Sequence, residues 1–350
     1  MNVNKITPPL KRQSNIEALR LLSMLMVLNL HCCWCFDACT GLHQAVDVFR
    51  KATSICAVDC FLIISGYFGI KWKIKSFWNL MFQLFFYSFG VYIVAVGLGI
   101  IDFTISGLSQ CAKATYASWG FISGYVALYF VAPLINAFVE KSTNRELLCY
   151  IVAFLAAAIL ICRSSDNVFL YLLLYMVGRL IRKADIVSRI KVSPVRGYWL
   201  MTVIIFCASY ALYMAGILTT AEAQVKSPLA LNYLNPFIIL QAAFLFIVFG
   251  RMNFQSKIVN WLSASSLAIF LIHMHPAIKE IGYYAYSKSL YSQPLATYIG
   301  MTIALVVVVF CGSILIDKIR IFISDKVYGI LQRFVRTIRI PALKSLFLKF

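Results

Sequence analysis

Acidic residues are scarce in this chain. Asp and Glu together number 13 in 350 residues, and charged residues of both signs make up only 13%, against the ~25% usual in soluble domains. With 61% of its residues hydrophobic, a soluble core of this length could not hide so much apolar surface. Low-complexity tracts, internal repeats and a separate polar domain are also missing, which leaves one continuous apolar unit. Eleven cysteines are present, but no paired CxxC repeat with zinc-finger spacing, so no metal site is read from them. The apolar run after Lys11 and Arg12 lacks a small-x-small cleavage site. It is read as a retained first span and not as a signal peptide.

What remains is abundant in Phe (27) and Tyr (19), as suits a chain solvated by lipid. The expected fold is an all-α integral membrane protein. The net charge of +19 lies in short clusters between apolar runs, with no basic soluble domain to hold a duplex, so no nucleic-acid partner is expected. Taking about 20 apolar residues per span, ten spans are predicted at roughly 16–36, 50–70, 76–100, 115–139, 147–162, 166–182, 197–217, 231–249, 258–278 and 294–317. "CRSSDN" suggests a tight hairpin between the fifth and sixth. The loop bias of Lys and Arg puts both ends on the cytoplasmic side. Residues 1–13 form a cytoplasmic segment, 14–318 the ten-helix domain, and 319–350 a basic amphipathic tail suited to lie on anionic lipid.

Against this background a few polar residues stand out. "SNIEALRLLSMLMVLNLHCCWC" (Ser14 to Cys35) carries Glu17, Arg20 and His31 in an apolar helix, where ionisable groups are costly and point to function. Arg20 and His31 are eleven residues apart, which is about 1,100° of turn and ~16 Å of rise, so they share one face. Glu17 lies one turn before Arg20, at ion-pair spacing; an interfacial pair that only anchors the span is the plain alternative. In "VDCFLIISGYFGIKWKIK", Asp59 falls deep in an apolar run and calls for a cationic or hydrogen-bonding partner. Ser65 and Gly66 follow, the glycine permitting close backbone approach. Lys71, Lys73 and Lys75 then line an inner mouth suited to an anion, or form an ordinary basic flank. In "SASSLAIFLIHMHPAI", His273 lies as far from the start of its span as His31 does from its own. The two are expected at one depth, with Asp59 about 6 Å deeper. His275 and Pro276 mark a helix exit. Of the remaining cysteines, those in apolar runs behave as small hydrophobes, and a Cys35–Cys39 pairing is open.

In this order and spacing the segments resemble acyltransferase family 3, the multipass bacterial membrane acyltransferases, over roughly residues 14–318. That family opens with an acidic residue, a Leu-Arg pair and, after ten residues, a His; here these are Glu17, Leu19-Arg20 and His31. Its second span carries a D-x-F-F-x-x-S-G-F/Y pattern, which stands here as "DCFLIISGYF", Asp59 to Phe68. "SWGFISGYVALYFVAPLIN", "NPFIILQAAFLFIVF" and "SSLAIFLIH" are similar to its later segments. Glu17 replaces the commoner Asp, "KWKIK" stands where many members are Arg-rich, and no fused hydrolase-like domain is expected.

The resemblance implies transfer of an acyl group, acetyl above all, from cytoplasmic acyl-CoA to a hydroxyl of a surface polysaccharide or lipid-linked sugar. The protein would lie in the bacterial cytoplasmic membrane, with acyl-CoA as donor substrate and no bound cofactor or metal. His31 would be general base on the acceptor hydroxyl or would carry the acyl group. Asp59 or His273 would orient it or stabilise the oxyanion. Arg20 with Lys71, Lys73 and Lys75 would hold donor phosphates, supported by Glu17, Ser65 and Gly66. A transporter or flippase of a lipid-linked glycan is the competing class. It would favour paired halves with broken helices, and no such duplication is found.

Overall fold

A computed structural model describes residues 12–33, 41–113, 120–162, 168–217 and 231–337. Cys35 and Cys39, the 163–167 hairpin and tail residues 338–350 lie outside them. The described residues are overwhelmingly helical and contain no strand. Four helices are long and apolar enough to cross a membrane: Ile74–Gly97, Phe121–Lys141, Pro194–Met214 and Leu295–Leu331. Their outward faces expose Phe85, Ile93, Leu134, Val203, Val307 and Val308, a continuous apolar surface that suits lipid. This is an all-α membrane protein.

In chain order the elements are α1 (Ser14–His31), α2 (Gly41–Ser54), α3 (Ala57–Phe68), α4 (Ile74–Gly97), α5 (Ile105–Lys113), α6 (Gly120–Lys141), α7 (Asn144–Ala157), α8 (Val168–Lys183), α9 (Ile186–Arg189), α10 (Pro194–Met214), α11 (Pro236–Gly250), α12 (Lys257–Ser263), α13 (Ser266–His273), α14 (Ala285–Ser289) and α15 (Leu295–Thr337). The sequence marks many of the starts. The Thr143 side chain accepts from the Glu146 amide while Glu146 reaches back to the Thr143 amide, a capping box for α7. Ser193 and Asn235 cap α10 and α11, each with Pro at the first position.

Three expected spans differ in detail. The second, 50–70, is two helices: α2 and α3 meet at a turn over Ile55 and Cys56. There the Thr53 hydroxyl bonds back to the Arg50 carbonyl at 2.8 Å, a side chain competing for a carbonyl of the helical ladder, and Ser54 takes the Asn29 side-chain amide at 2.8 Å. The ninth, 258–278, is likewise α12 and α13, broken at Ala264 and Ser265. The tenth runs on without interruption as α15 to Thr337. Residues 319–337 therefore extend the last helix instead of starting a new one.

The core forms where α3 lies against α8. An added Cβ at Gly66 would sit 2.1 Å from the Tyr175 carbonyl oxygen, and one at Gly178 would sit 2.2 Å from that of Ile63. The two glycines face each other's helix backbone, which is the close approach expected of Gly66. Around this pair pack α1 and α11, with α10 against α2 and α11, and α15 against α4 and α13.

Candidate active site: a histidine pair beside a cavity

Helix α1 and the α12–α13 pair run side by side and are pinned at both ends. At the start, the Ser14 hydroxyl accepts from the Ser256 amide at 2.9 Å and lies 3.0 Å from Asn260 Oδ1. His31 is seventeen residues after Ser14, and His273 seventeen after Ser256. The equal counts bring the two rings to the same level, where His31 Nδ1 and His273 Nε2 are 2.8 Å apart.

The direction of this bond follows from its neighbour. His273 Nδ1 is 2.6 Å from the Ile269 carbonyl oxygen, which can only accept, so His273 Nδ1 carries the proton. In the neutral ring Nε2 is then the acceptor, and His31 Nδ1 must donate to it. His31 Nε2 is left with its lone pair. His31 belongs to the wall of a cavity of about 530 Å³ shared by α1, α3, α6, α12 and α13. Phe270 packs on both histidines, with centroids 6.4 Å from His31 and 6.0 Å from His273, and Tyr284 meets the His31 ring edge-on at 6.3 Å.

Among the described residues, the charged ones on the cavity wall are Arg12, Arg20 and Lys279, with no Asp or Glu. Arg12 lies just before α1 and Arg20 in its second turn. Both contact buried Glu17, at 3.3 and 3.1 Å. Arg20 therefore shares a cavity with His31, as their common helix face predicts. Lys279 stands beyond α13, near the histidines in sequence. Ser65 is on the wall, its hydroxyl donating to the Phe61 carbonyl at 2.9 Å and lying 3.4 Å from Tyr125 Oη.

Other expected site residues lie elsewhere. Asp59 is fully buried, but neither carboxylate oxygen has a hydrogen-bond partner among the described residues, and it does not line the cavity. It shares a helical stripe with Ile63 and Gly66, which face α8, whereas Val58, Phe61 and Ser65 face the cavity. Of the two residues expected to orient His31 or stabilise the oxyanion, Asp59 or His273, it is His273 that contacts the His31 ring. Lys71, Lys73 and Lys75 are exposed and off the cavity. Tyr129 Oη binds the Lys73 backbone at 3.1 Å, and Lys75 Nζ sits over the Tyr328 ring at 5.6 Å. His275 is a buried structural residue, its Nε2 donating to the Ser88 carbonyl at 3.0 Å and its Nδ1 accepting from the Ala277 amide at 3.2 Å.

Sequence reasoning missed two buried ion pairs. Arg50 Nη1 is 3.1 Å from Asp47 Oδ1, and the Arg50 guanidinium also donates to Asn29 Oδ1 at 2.7 Å through Nη2. Tyr291 and Tyr298 close on the same Asp47 carboxylate. On α15, Arg320 grips Asp317 with bonds of 2.8 and 3.0 Å, and Tyr87 of α4 donates to the same carboxylate at 2.8 Å. The signal was available: "EALR", "DVFR" and "DKIR" all put an acid three residues before an Arg.

Comparison with known proteins supplies the family. The family model described as an acyltransferase domain matches residues 13–318. No curated protein and no solved structure matches the chain. A match over nearly the whole length, from the first residues of α1 to the Asp317 region of α15, takes in both histidines and every described residue of the cavity wall except Arg12: the chain belongs to acyltransferase family 3.

Proposed function

We propose that the protein moves an acyl group, acetyl in the first instance, from cytoplasmic acyl-CoA to a hydroxyl of a surface polysaccharide or lipid-linked sugar. The observation that carries this reading is the bond from His31 Nδ1 to His273 Nε2. Among the described residues it leaves His31 Nε2 with its lone pair, and His31 lines a cavity that Arg20 also lines. Arg12 and Arg20 suit the phosphates of the donor. The ~16 Å rise from Arg20 to His31 is comparable to an extended pantetheine arm, so the thioester would reach the histidines while the nucleotide stays at the arginine end.

His31 Nε2 then takes the proton of the acceptor hydroxyl as its oxygen attacks the thioester carbonyl. As the tetrahedral intermediate collapses, the C–S bond breaks and the leaving thiolate receives that proton from the His31 imidazolium. The products are the ester and free CoA. His273, itself held by Ile269, keeps His31 in the productive tautomer, as the third group of a triad does. Lys279, whose ammonium lies 3.7 Å from the exposed Glu280 carboxylate, is the wall cation that would turn toward the oxyanion.

The placement of Lys and Arg supports ten spans with both ends cytoplasmic, in the cytoplasmic membrane of a bacterium. The arginine end would then open inward and the histidine end outward, toward the acceptor. Membranes containing the protein, supplied with acetyl-CoA labelled in the acetyl group, are expected to move label onto glycan or lipid-linked sugar. His31→Ala should abolish the transfer while leaving the melting temperature in detergent unchanged. Full transfer by that variant, or movement of a glycan lipid across the membrane with no acyl transfer, would overturn the reading.

A further inference from the structure

Between the two histidines and the rest of the bundle stands Tyr283, a buried residue in a π-helical turn over Glu280–Tyr284. Such turns are rare and recur at functional sites. The Tyr283 hydroxyl donates to the Leu28 carbonyl of α1 at 2.7 Å and lies 2.9 Å from Cys32 Sγ. Leu28 and Cys32 lie three residues before and one residue after His31. The same tyrosine sets its ring against His273, with centroids 5.1 Å apart and planes at 61°. One side chain therefore touches the backbone that carries the first histidine and the ring of the second.

The local chain gives the contact particular weight. His31 is the last residue of α1, where the final carbonyls have no partner within the helix and ends fray. The Leu28 carbonyl is one of these last four, and the Tyr283 hydroxyl satisfies it. His273 is likewise the last residue of α13. Both rings thus stand at helix ends, and a 2.8 Å bond between them needs those ends held in register.

We propose that Tyr283 is a positioning residue for the histidine pair, its hydroxyl fixing the end of α1 and its ring fixing His273. The inference rests on the acyl-transfer reading for its kinetic consequence, but not for its structural one. Tyr283→Phe keeps the ring and removes only the hydroxyl contacts. Tyr198→Phe is the matched control, because it loses a comparable 2.8 Å bond to the Thr53 carbonyl at a tyrosine whose ring packs on Trp199 and not on the histidine pair.

Two readouts test the proposal on the full-length protein. In labelled acetyl-CoA transfer, Tyr283→Phe is expected to lower kcat about tenfold with KM for acetyl-CoA unchanged, while Tyr198→Phe keeps the wild-type kcat. In ¹⁵N-histidine NMR, which needs no turnover, wild type should show His31 protonated at Nδ1 alone. Tyr283→Phe should show a mixture of Nδ1 and Nε2 protonation, with the fold intact by size exclusion. An unchanged His31 signal in Tyr283→Phe would overturn the proposal, as would equal changes in the two variants. A wild-type protein without acyl transfer would remove the proposed function and leave the NMR comparison standing as the test. Were Tyr283→Phe not to fold, Cys32→Ala, which removes the thiol contact alone, would be read in the same way.

Discussion

The hydrogen bond between the histidines makes their roles unequal, and the inequality is measurable. Removing His31 removes the base itself, an effect typically worth 10²–10⁴ in rate. Removing His273 leaves the base but frees it. The bond at His31 Nδ1 is what selects one of two neutral tautomers, and it also holds χ1 and χ2 in one of several staggered positions. If the productive state falls from nearly all to roughly a tenth of the population, the barrier rises by about 1.4 kcal/mol. The expected order is therefore a loss of 10² or more for His31→Ala and a loss near tenfold for His273→Ala. The double variant should be no slower than His31→Ala, because orientation has no value once the base is gone.

His273→Gln refines the test. A Gln side chain can present its amide oxygen where His273 Nε2 stands, accept from His31 Nδ1 and hold the same tautomer. It should recover most of the rate that His273→Ala loses. The assay is the initial rate of label transfer from acetyl-CoA by purified protein in detergent or proteoliposomes, with melting temperatures to exclude unfolding. A His273→Ala protein as slow as His31→Ala would refute the reasoning and exchange the two roles. A double variant slowed by the product of the single effects would show that the residues act independently.

Three further predictions concern the frame around this pair. Gly66→Ala should lower thermal stability by about 1–3 kcal/mol, since its Cβ would meet the Tyr175 carbonyl at 2.1 Å. Combining it with Gly178→Ala should cost less than the sum, because both strain one contact, and unchanged melting of both would show that α3 and α8 stand apart. Arg20→Gln should raise KM for acetyl-CoA roughly tenfold, the scale of a lost hydrogen bond to a charged group, while Gln at Lys71, Lys73 and Lys75 together should leave it unchanged; the reverse result would restore the lysines as the donor site. At the start of α7, bonds from the Thr143 amide and hydroxyl hold the Glu146 carboxyl below its usual range. A carboxylate whose folded pKa is depressed contributes above its unfolded pKa and loses that contribution as pH falls through the folded value. Protection factors of amides in the first turn of α7, which correct for the intrinsic pH dependence of exchange, should therefore fall on acidification below the ordinary carboxylate range, and Glu146→Gln should remove that fall.

Legibility in the sequence followed the physics that each feature depends on. The apolar runs and the equal depth of His31 and His273 could be read because helix rise per residue is constant, and residue counts convert directly into level. Which direction a residue faces is harder. Asp59 lies in the same run as Val58 and Phe61, and only the packing of Gly66 on α8 decides that the carboxylate turns from the cavity. Lys71, Lys73 and Lys75 follow closely on the cavity residue Ser65 in sequence, but the chain turns at Gly69, with φ of 73°, and takes them toward Tyr129 and Tyr328. Tyr283 gave no sequence signal at all, because a tyrosine in an aromatic chain is unremarked until its hydroxyl finds a particular carbonyl.

The scarcity of acid has its counterpart in where the described acids stand. Glu17, Asp47 and Asp317 each sit three residues before the arginine they bind, and each is buried. An arginine cannot shed its proton in place of pairing, so a guanidinium within an apolar bundle needs a fixed counter-charge, and the nearest one along the helix is the simplest to supply. These pairings commit the acids locally and leave no carboxylate against His31 or His273 among the described residues. A carboxylate there would favour the charged imidazolium, which has no lone pair to offer. With a carbonyl at the far end of the chain instead, from Ile269 through His273 to His31, both rings are best satisfied as neutral groups. A base built in this way is oriented by hydrogen bonds alone, and introducing an acid beside it, as Ile272→Asp or Met274→Asp would attempt, should cost activity even where the fold survives.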